Sequence, residues 1–191
     1  MTSLPFGEEE RARLAGRRQM TFIPVNQEDA LLLRDGADLG PRRACAPTPA
    51  LKRELGEQTS FEEAEFAALS NAGVLALLST SGVRRLVLAA EVELGQVADP
   101  ESPHGEVTVS GVSWSQVQAL FADETEAFER VNAVRLAVVD GHDQRTLATV
   151  LDAPEVGELL TAFDLLWFAP EELDQLGEAN DLTEYRRNRA D

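Results

Sequence analysis

The sequence predicts an α/β fold: a two-layer sandwich in which a mixed sheet of about five to six strands carries helices mainly on one face. Three observations carry this. Residues 60–94 read as one long helix, a tight turn and one long strand. Five other short runs have strand character, at 20–25, 42–46, 106–112, 116–122 and 163–169. Helical patterns alternate irregularly with these runs, and two strand runs follow each other directly between residues 106 and 122.

The 60–94 stretch organises the rest. Ser60 is a good N-cap, and Glu63 stands where a capping box needs its reciprocal carboxylate. Glu62, Glu63 and Glu65 suit the positive end of the helix dipole. Phe61, Ala64, Ala68, Ala72 and Leu75 recur every three or four residues and share one face. From Val74 to Leu78 the helix is apolar all round, which predicts burial on every side. Ser81 and Gly82 break it. Beyond them Leu86, Leu88, Ala90, Val92 and Leu94 alternate strictly, while Val87 and Ala89 on the other face give way to Glu91 and Glu93. The strand is therefore buried on both faces at its start and on one at its end.

The other elements follow in chain order. Residues 1–19 mix acidic and arginine clusters without a sustained apolar face and read as a disordered leader, with Met20 as an alternative start. Met20–Val25 is a short strand, placed by Pro24 at an edge or at its own end. Asn26 caps a helix over Gln27–Arg34, closed by Asp35 and Gly36. Arg42–Ala46 is a second strand. Thr48 then caps a short helix with Pro49 at its first position, ending at Gly56. Gln96–Gly105 reads as a polar loop with two prolines, and Glu106–Val112 as a strand. Gln116–Ala122 fits two periods: Val117, Ala119 and Phe121 suit a strand, and Trp114, Val117 and Phe121 suit a helix capped by Ser113; strand is preferred. Asp123 with Glu126 starts a helix whose face is Ala127, Val131, Val134 and Val138, stopped by Gly141. Asp143–Leu151 and Pro154–Thr161 read as two short helices, the second capped by Asp152 with Glu155. Phe163–Ala169 is the last strand, apolar on both faces, with Trp167 expected in the core. Pro170 opens a closing turn through Leu176, and residues 177–191 form a loose polar tail. The expected organisation is leader 1–19, one domain over 20–176, and tail 177–191.

The chain has 191 residues, 43% of them hydrophobic, enough for one packed core. No apolar run approaches the roughly 18 residues of a membrane span, and the start lacks a secretory hydrophobic segment; no membrane partner and a cytoplasmic location are expected. The formal net charge is −17, and residues 20–176 hold 27 acidic against ten basic residues. That balance argues against a nucleic-acid backbone as partner. Its plain consequence is solubility; its sharper ones are attraction to a basic partner or mimicry of a nucleic acid, the latter disfavoured because the acids are spread along the chain.

No catalytic signature is present. Gly-rich phosphate loops, the G-x-S-x-G elbow and spaced zinc ligands all fail to match, so neither a cofactor nor a metal is expected. His104 lies in the proline loop and His142 in a turn, each without ligand-spaced companions. Cys45 is the only cysteine, which excludes a disulfide framework. It precedes the Thr48 helix start and follows Arg42 and Arg43, features that lower a thiol pKa; the plainer reading is a small apolar residue in a buried strand. Arg43 and Arg85, with the backbone N–H groups after Thr48, form a candidate anion site if their two strands are neighbours.

The order of motifs is similar to that of a family of uncharacterised actinobacterial proteins, domain-of-unknown-function family 6912. The matching pieces are Phe22-Ile23-Pro24, Thr48-Pro49-Ala50-Leu51, the acidic-aromatic run Phe61–Ala68, Arg84-Arg85-Leu86-Val87-Leu88-Ala89-Ala90, and Leu166-Trp167-Phe168-Ala169-Pro170-Glu171-Glu172-Leu173. Together they span about residues 20–176. The resemblance implies a single cytoplasmic domain and brings no activity, cofactor or catalytic residue. The leader, the tail and the segment 141–160 depart from the family pattern.

Two functions are consistent with these readings. One is a non-enzymatic cytoplasmic interaction or regulatory module with an acidic surface and a protein partner. The other is a small enzyme or ligand-binding domain that holds a small anion near Arg43, Arg85, Cys45 and Thr48. An exposed apolar patch favours the first; a deep pocket with converging polar groups favours the second.

Overall fold

A computed structural model of the chain describes residues 16–56, 58–98, 101–138 and 145–176. Most of the leader, the 177–191 tail, His142 and the Gly141 stop lie outside the described residues, as does the start of the helix expected at Asp143. The strands are β1 (Arg18–Val25), β2 (Arg42–Cys45), β3 (Leu86–Glu93), β4 (Val97–Ala98), β5 (Glu106–Val109), β6 (Val117–Ala122) and β7 (Leu166–Phe168). The helices are α1 (Gln27–Arg34), α2 (Pro49–Leu55), α3 (Phe61–Ser79), α4 (Phe128–Val138), α5 (Leu147–Leu151) and α6 (Pro154–Ala162). A 3-10 segment, Pro170–Leu176, closes the described chain.

The strands form one open seven-stranded sheet in the order β4-β5-β2-β1-β3-β6-β7. Every pairing is antiparallel. The expected mixed sheet of five to six strands is therefore corrected in count and in sense. The extra strand is β4, two residues long inside the stretch read as loop. The sense follows from β1. Both β2 and β3 run antiparallel to it, so the crossover through α2 and α3 joins two like-directed strands that never touch. The first strand also starts earlier than expected: Arg18 pairs with Glu93 and Gln19 with Val92, so both belong to the sheet rather than to a leader.

Both sheet faces are covered. Phe22, Cys45, Val87, Ala89 and Ala119 meet α3 to α6. Ile23, Val25, Leu88 and Leu120 meet the thinner cover of α1 and the closing segment, through Ala30, Leu33, Leu173 and Leu176. The larger helical layer lies on one face as expected; the second face is not left to solvent, so the molecule has a thin third layer.

The helix α3 is fixed at both ends. Glu63 N–H donates to Ser60 Oγ at 3.1 Å, and Ser60 N–H donates to Glu63 Oε2 at 2.7 Å. At its far end Arg135 of α4 donates to the carbonyls of Leu77 and Thr80, which have no partner within the helix. Val74, Leu75, Ala76 and Leu77 are fully buried. Phe61 is not: it lies 53% exposed, with Lys52 Nζ 4.6 Å from its ring centre. Gly105, at φ 72°, turns the chain into β5, and a Cβ there would meet the Ala46 carbonyl oxygen at 2.5 Å. Only glycine permits that approach.

Candidate functional site

The residues expected to hold an anion are not brought together. One strand, β1, lies between β2 and β3, and so separates Arg43 from Arg85. Each guanidinium already has a carboxylate. Arg43 Nε donates to Glu106 Oε1 at 2.7 Å on the neighbouring strand β5. Arg85, 1% exposed, is gripped by Asp123, 2% exposed. Thr48 is buried and its hydroxyl accepts from Leu51 N–H at 3.1 Å, a cap and nothing more. Cys45 is fully buried. Burial pushes its thiol well up from the ordinary range, Glu106 adds to this, and Arg43 opposes it. That is the reverse of an activated thiolate.

The Arg85–Asp123 pair is the main feature that the sequence does not disclose. The two residues stand opposite each other just beyond the Leu86–Ala122 pairing of β3 and β6. Asp123 N–H donates to the Arg85 carbonyl at 3.1 Å, and Arg85 N–H donates to Asp123 Oδ2 at 2.7 Å. Within the side chains, Nε donates to both carboxylate oxygens at 3.1 and 3.0 Å, and Nη2 donates to Oδ1 at 2.6 Å. Nη2 also donates to the Phe163 carbonyl at 2.9 Å, which ties the segment ahead of β7 to the sheet. Among the described residues Nη1 alone of the three guanidinium nitrogens has no protein hydrogen-bond partner, and Arg85 lines a groove. Asp123, expected to start a helix, is an ionic anchor instead; the helix starts through a 3-10 turn, Thr125–Ala127, without a side-chain cap. Arg84 points elsewhere, with its guanidinium 4.9 Å from the Phe128 ring centre. Burial holds its pKa below the usual value, with Asp123 opposing.

Arg85 borders a groove of about 510 Å³ between α3 and the segment joining α6 to β7. Phe66 and Leu69 of α3 form one wall; Leu160, Phe163 and Leu165 form the other. Ser70, Thr161 and Asp164 give it polar points. Gly73 makes room beneath. A Cβ on it would stand 3.1 Å from Leu165 Cδ1 and 3.8 Å from Arg85 Nη1. An isolated glycine inside a helical pattern is the one sequence signal that points here. Phe66 is 69% exposed at the rim.

Beside the groove runs the sheet edge. Among the described residues strand β7 pairs only with β6, through Leu166–Ala122, Trp167–Phe121 and Phe168–Leu120. Phe168 packs on the thinner-covered face. Trp167, expected in the core, is 60% exposed, and Leu166 is 43% exposed. The three-residue strand lies at the rim of the sheet, beyond the helical layer that partly covers Phe121. A second, smaller and polar depression of about 280 Å³ lies at Asn26–Glu28, Ser81, Gly82 and Arg84. Among the described residues no group of three or more His, Cys, Asp or Glu side chains is placed to hold a metal ion, and no helix is long and apolar enough to cross a membrane.

No curated protein and no solved structure matches the chain. A family model does, over residues 20–176, the same span from the first strand to the closing segment that builds the sheet and its two covers. The chain belongs to that family, a family of unknown function (DUF6912).

Proposed function

We propose that the protein is a non-enzymatic cytoplasmic interaction or regulatory module, and that its partner docks on the β7 edge. The observation that carries this is the cluster of exposed apolar side chains at one rim: Trp167 and Leu166 on a sheet edge with no outer strand among the described residues, and Phe66 on α3 near by. Large apolar side chains concentrated on an acidic, otherwise well-solvated chain mark a contact surface. A free strand edge also offers backbone donors and acceptors to an extended segment. The carboxylates of Asp164, Glu171 and Glu172 close by, with the net charge of −17, favour a partner segment that is apolar and basic.

The alternative, a small anion held by Arg43, Arg85 and Thr48, has against it the intervening strand and the carboxylate on each arginine. The test is affinity purification from the native cell with the full chain and with Trp167→Glu. A protein recovered with the native chain and lost with the variant, at equal melting temperature, supports the reading. Equal recovery by both removes the β7 edge as the docking surface.

A further inference from the structure

We infer that the groove over Arg85 binds a small uncharged ligand with an apolar body and a carbonyl or amide oxygen, which accepts from Arg85 Nη1. The volume of about 510 Å³ falls within the ~300–1,000 Å³ usual for small-molecule sites, which join apolar walls to a few placed polar groups. The walls here are Phe66, Leu69, Leu160, Phe163 and Leu165. The placed polar group is the guanidinium. Its Nε and Nη2 are consumed by Asp123 and the Phe163 carbonyl, which leaves the two N–H groups of Nη1 without an acceptor among the described residues. Nη1 opens onto the groove, where water meets it, and a ligand oxygen can take that water's place as acceptor while the apolar body covers the walls. Gly73 keeps the way to Nη1 open, since a side chain there would meet both Leu165 and the guanidinium nitrogen.

The ligand's charge follows from the pairing. Asp123 cancels the guanidinium at contact distance, and Asp164 adds a second carboxylate at the groove. A carboxylate or phosphate would therefore enter a site of net negative charge. A ligand with donors only would leave Nη1 as it is. A neutral acceptor meets the donor without either penalty. The site shares Phe66 at its rim with the β7 docking surface but does not rest on that surface.

The test uses the full chain and three probes of equal apolar length: hexanamide, hexanoate and hexylammonium. NMR follows the Leu165 methyl groups and the Arg85 guanidinium. Hexanamide at millimolar concentration is expected to move both signals saturably. Hexanoate and hexylammonium are expected to bind at least roughly three- to tenfold more weakly, the worth of one hydrogen bond. Ser70→Phe fills the groove from the surface of α3 without touching the ion pair, and should abolish the shifts at an unchanged melting temperature. Trp167→Glu should leave hexanamide binding intact, which separates this site from the partner surface. No saturable shift with hexanamide, tighter binding of either charged probe, or undiminished binding to Ser70→Phe would overturn the inference.

Discussion

Arg85 and Asp123 are each almost wholly removed from water, so each charge relies chiefly on the other to replace its hydration, with the Phe163 carbonyl and the Arg85 backbone N–H as the remaining partners. Arg85→Met or Asp123→Leu alone is expected to cost about 3–5 kcal/mol, as isolating a buried charge does. The double variant should cost less than either single, because it removes both charges together. Urea unfolding of the four chains measures this; additive costs would mean that the pair is not coupled. Cys45 gives a second prediction. Its thiol is pushed up by burial first, then by Glu106, so the folded chain holds that proton more tightly than the unfolded chain does. The resulting stability is fully present below the ordinary thiol value, 9.0, and is lost as pH rises above it. The native chain should therefore lose stability across the alkaline range relative to Cys45→Ala. It should also resist iodoacetamide until it unfolds, with mass spectrometry as the readout. Rapid alkylation of the folded protein would contradict the buried placement.

At the scale of elements, α3 and β3 carry the fold, and their end groups count for less than their centres. Leu75→Ala or Leu88→Ala should cost about 2–5 kcal/mol, since both side chains are fully buried. Glu63→Ala should cost much less in thermal or chemical unfolding, because it removes half of an exposed cap. The extended β1 gives a further test. A chain starting at Met20 loses the pairings of Arg18 and Gln19, and the bond from Leu94 N–H to the Arg17 carbonyl at 2.9 Å. Each lost bond is worth about 1 kcal/mol, so it should melt several degrees below a chain starting at Arg17; equal melting would show that these pairings are idle. These elements were legible because their signals are local. Ser60 with Glu63, Thr48 with Pro49, and the alternation from Leu86 onward each fix an element within a few residues. The strand reading of Val117–Ala122 also holds. What was not legible depends on which strands meet. The antiparallel sense needs β1 between β2 and β3; the two residues of β4 show no alternation; the role of Asp123 needs the register that sets it opposite Arg85. Trp167 reads as core from its apolar neighbours, and only the position of β7 at the rim exposes it.

For the whole molecule, charge is the property that reaches furthest from the surface. Its sum is −17, and among the described residues seven arginines are taken up by carboxylates. Arg18 pairs with Glu91, Arg34 with Asp174, Arg42 with Asp29, Arg43 with Glu106, Arg53 with Glu101, Arg85 with Asp123 and Arg130 with Glu158. These pairs lie on different strands and helices, so the positive charge is dispersed as well as neutralised. Binding to a nucleic-acid backbone depends on clustered cations that displace counterions from phosphates. A contact through any of these seven arginines would first have to break an ion pair, and the duplex would approach a chain whose net charge has its own sign. The full chain is therefore expected to show no retardation of duplex DNA in a gel at micromolar protein and physiological salt. Lowering the salt should not create binding, because weaker screening lengthens the reach of the repulsion. A salt-sensitive shift would instead require a local basic surface strong enough to overcome the net charge, and would remove the basis for expecting a basic partner at the β7 edge.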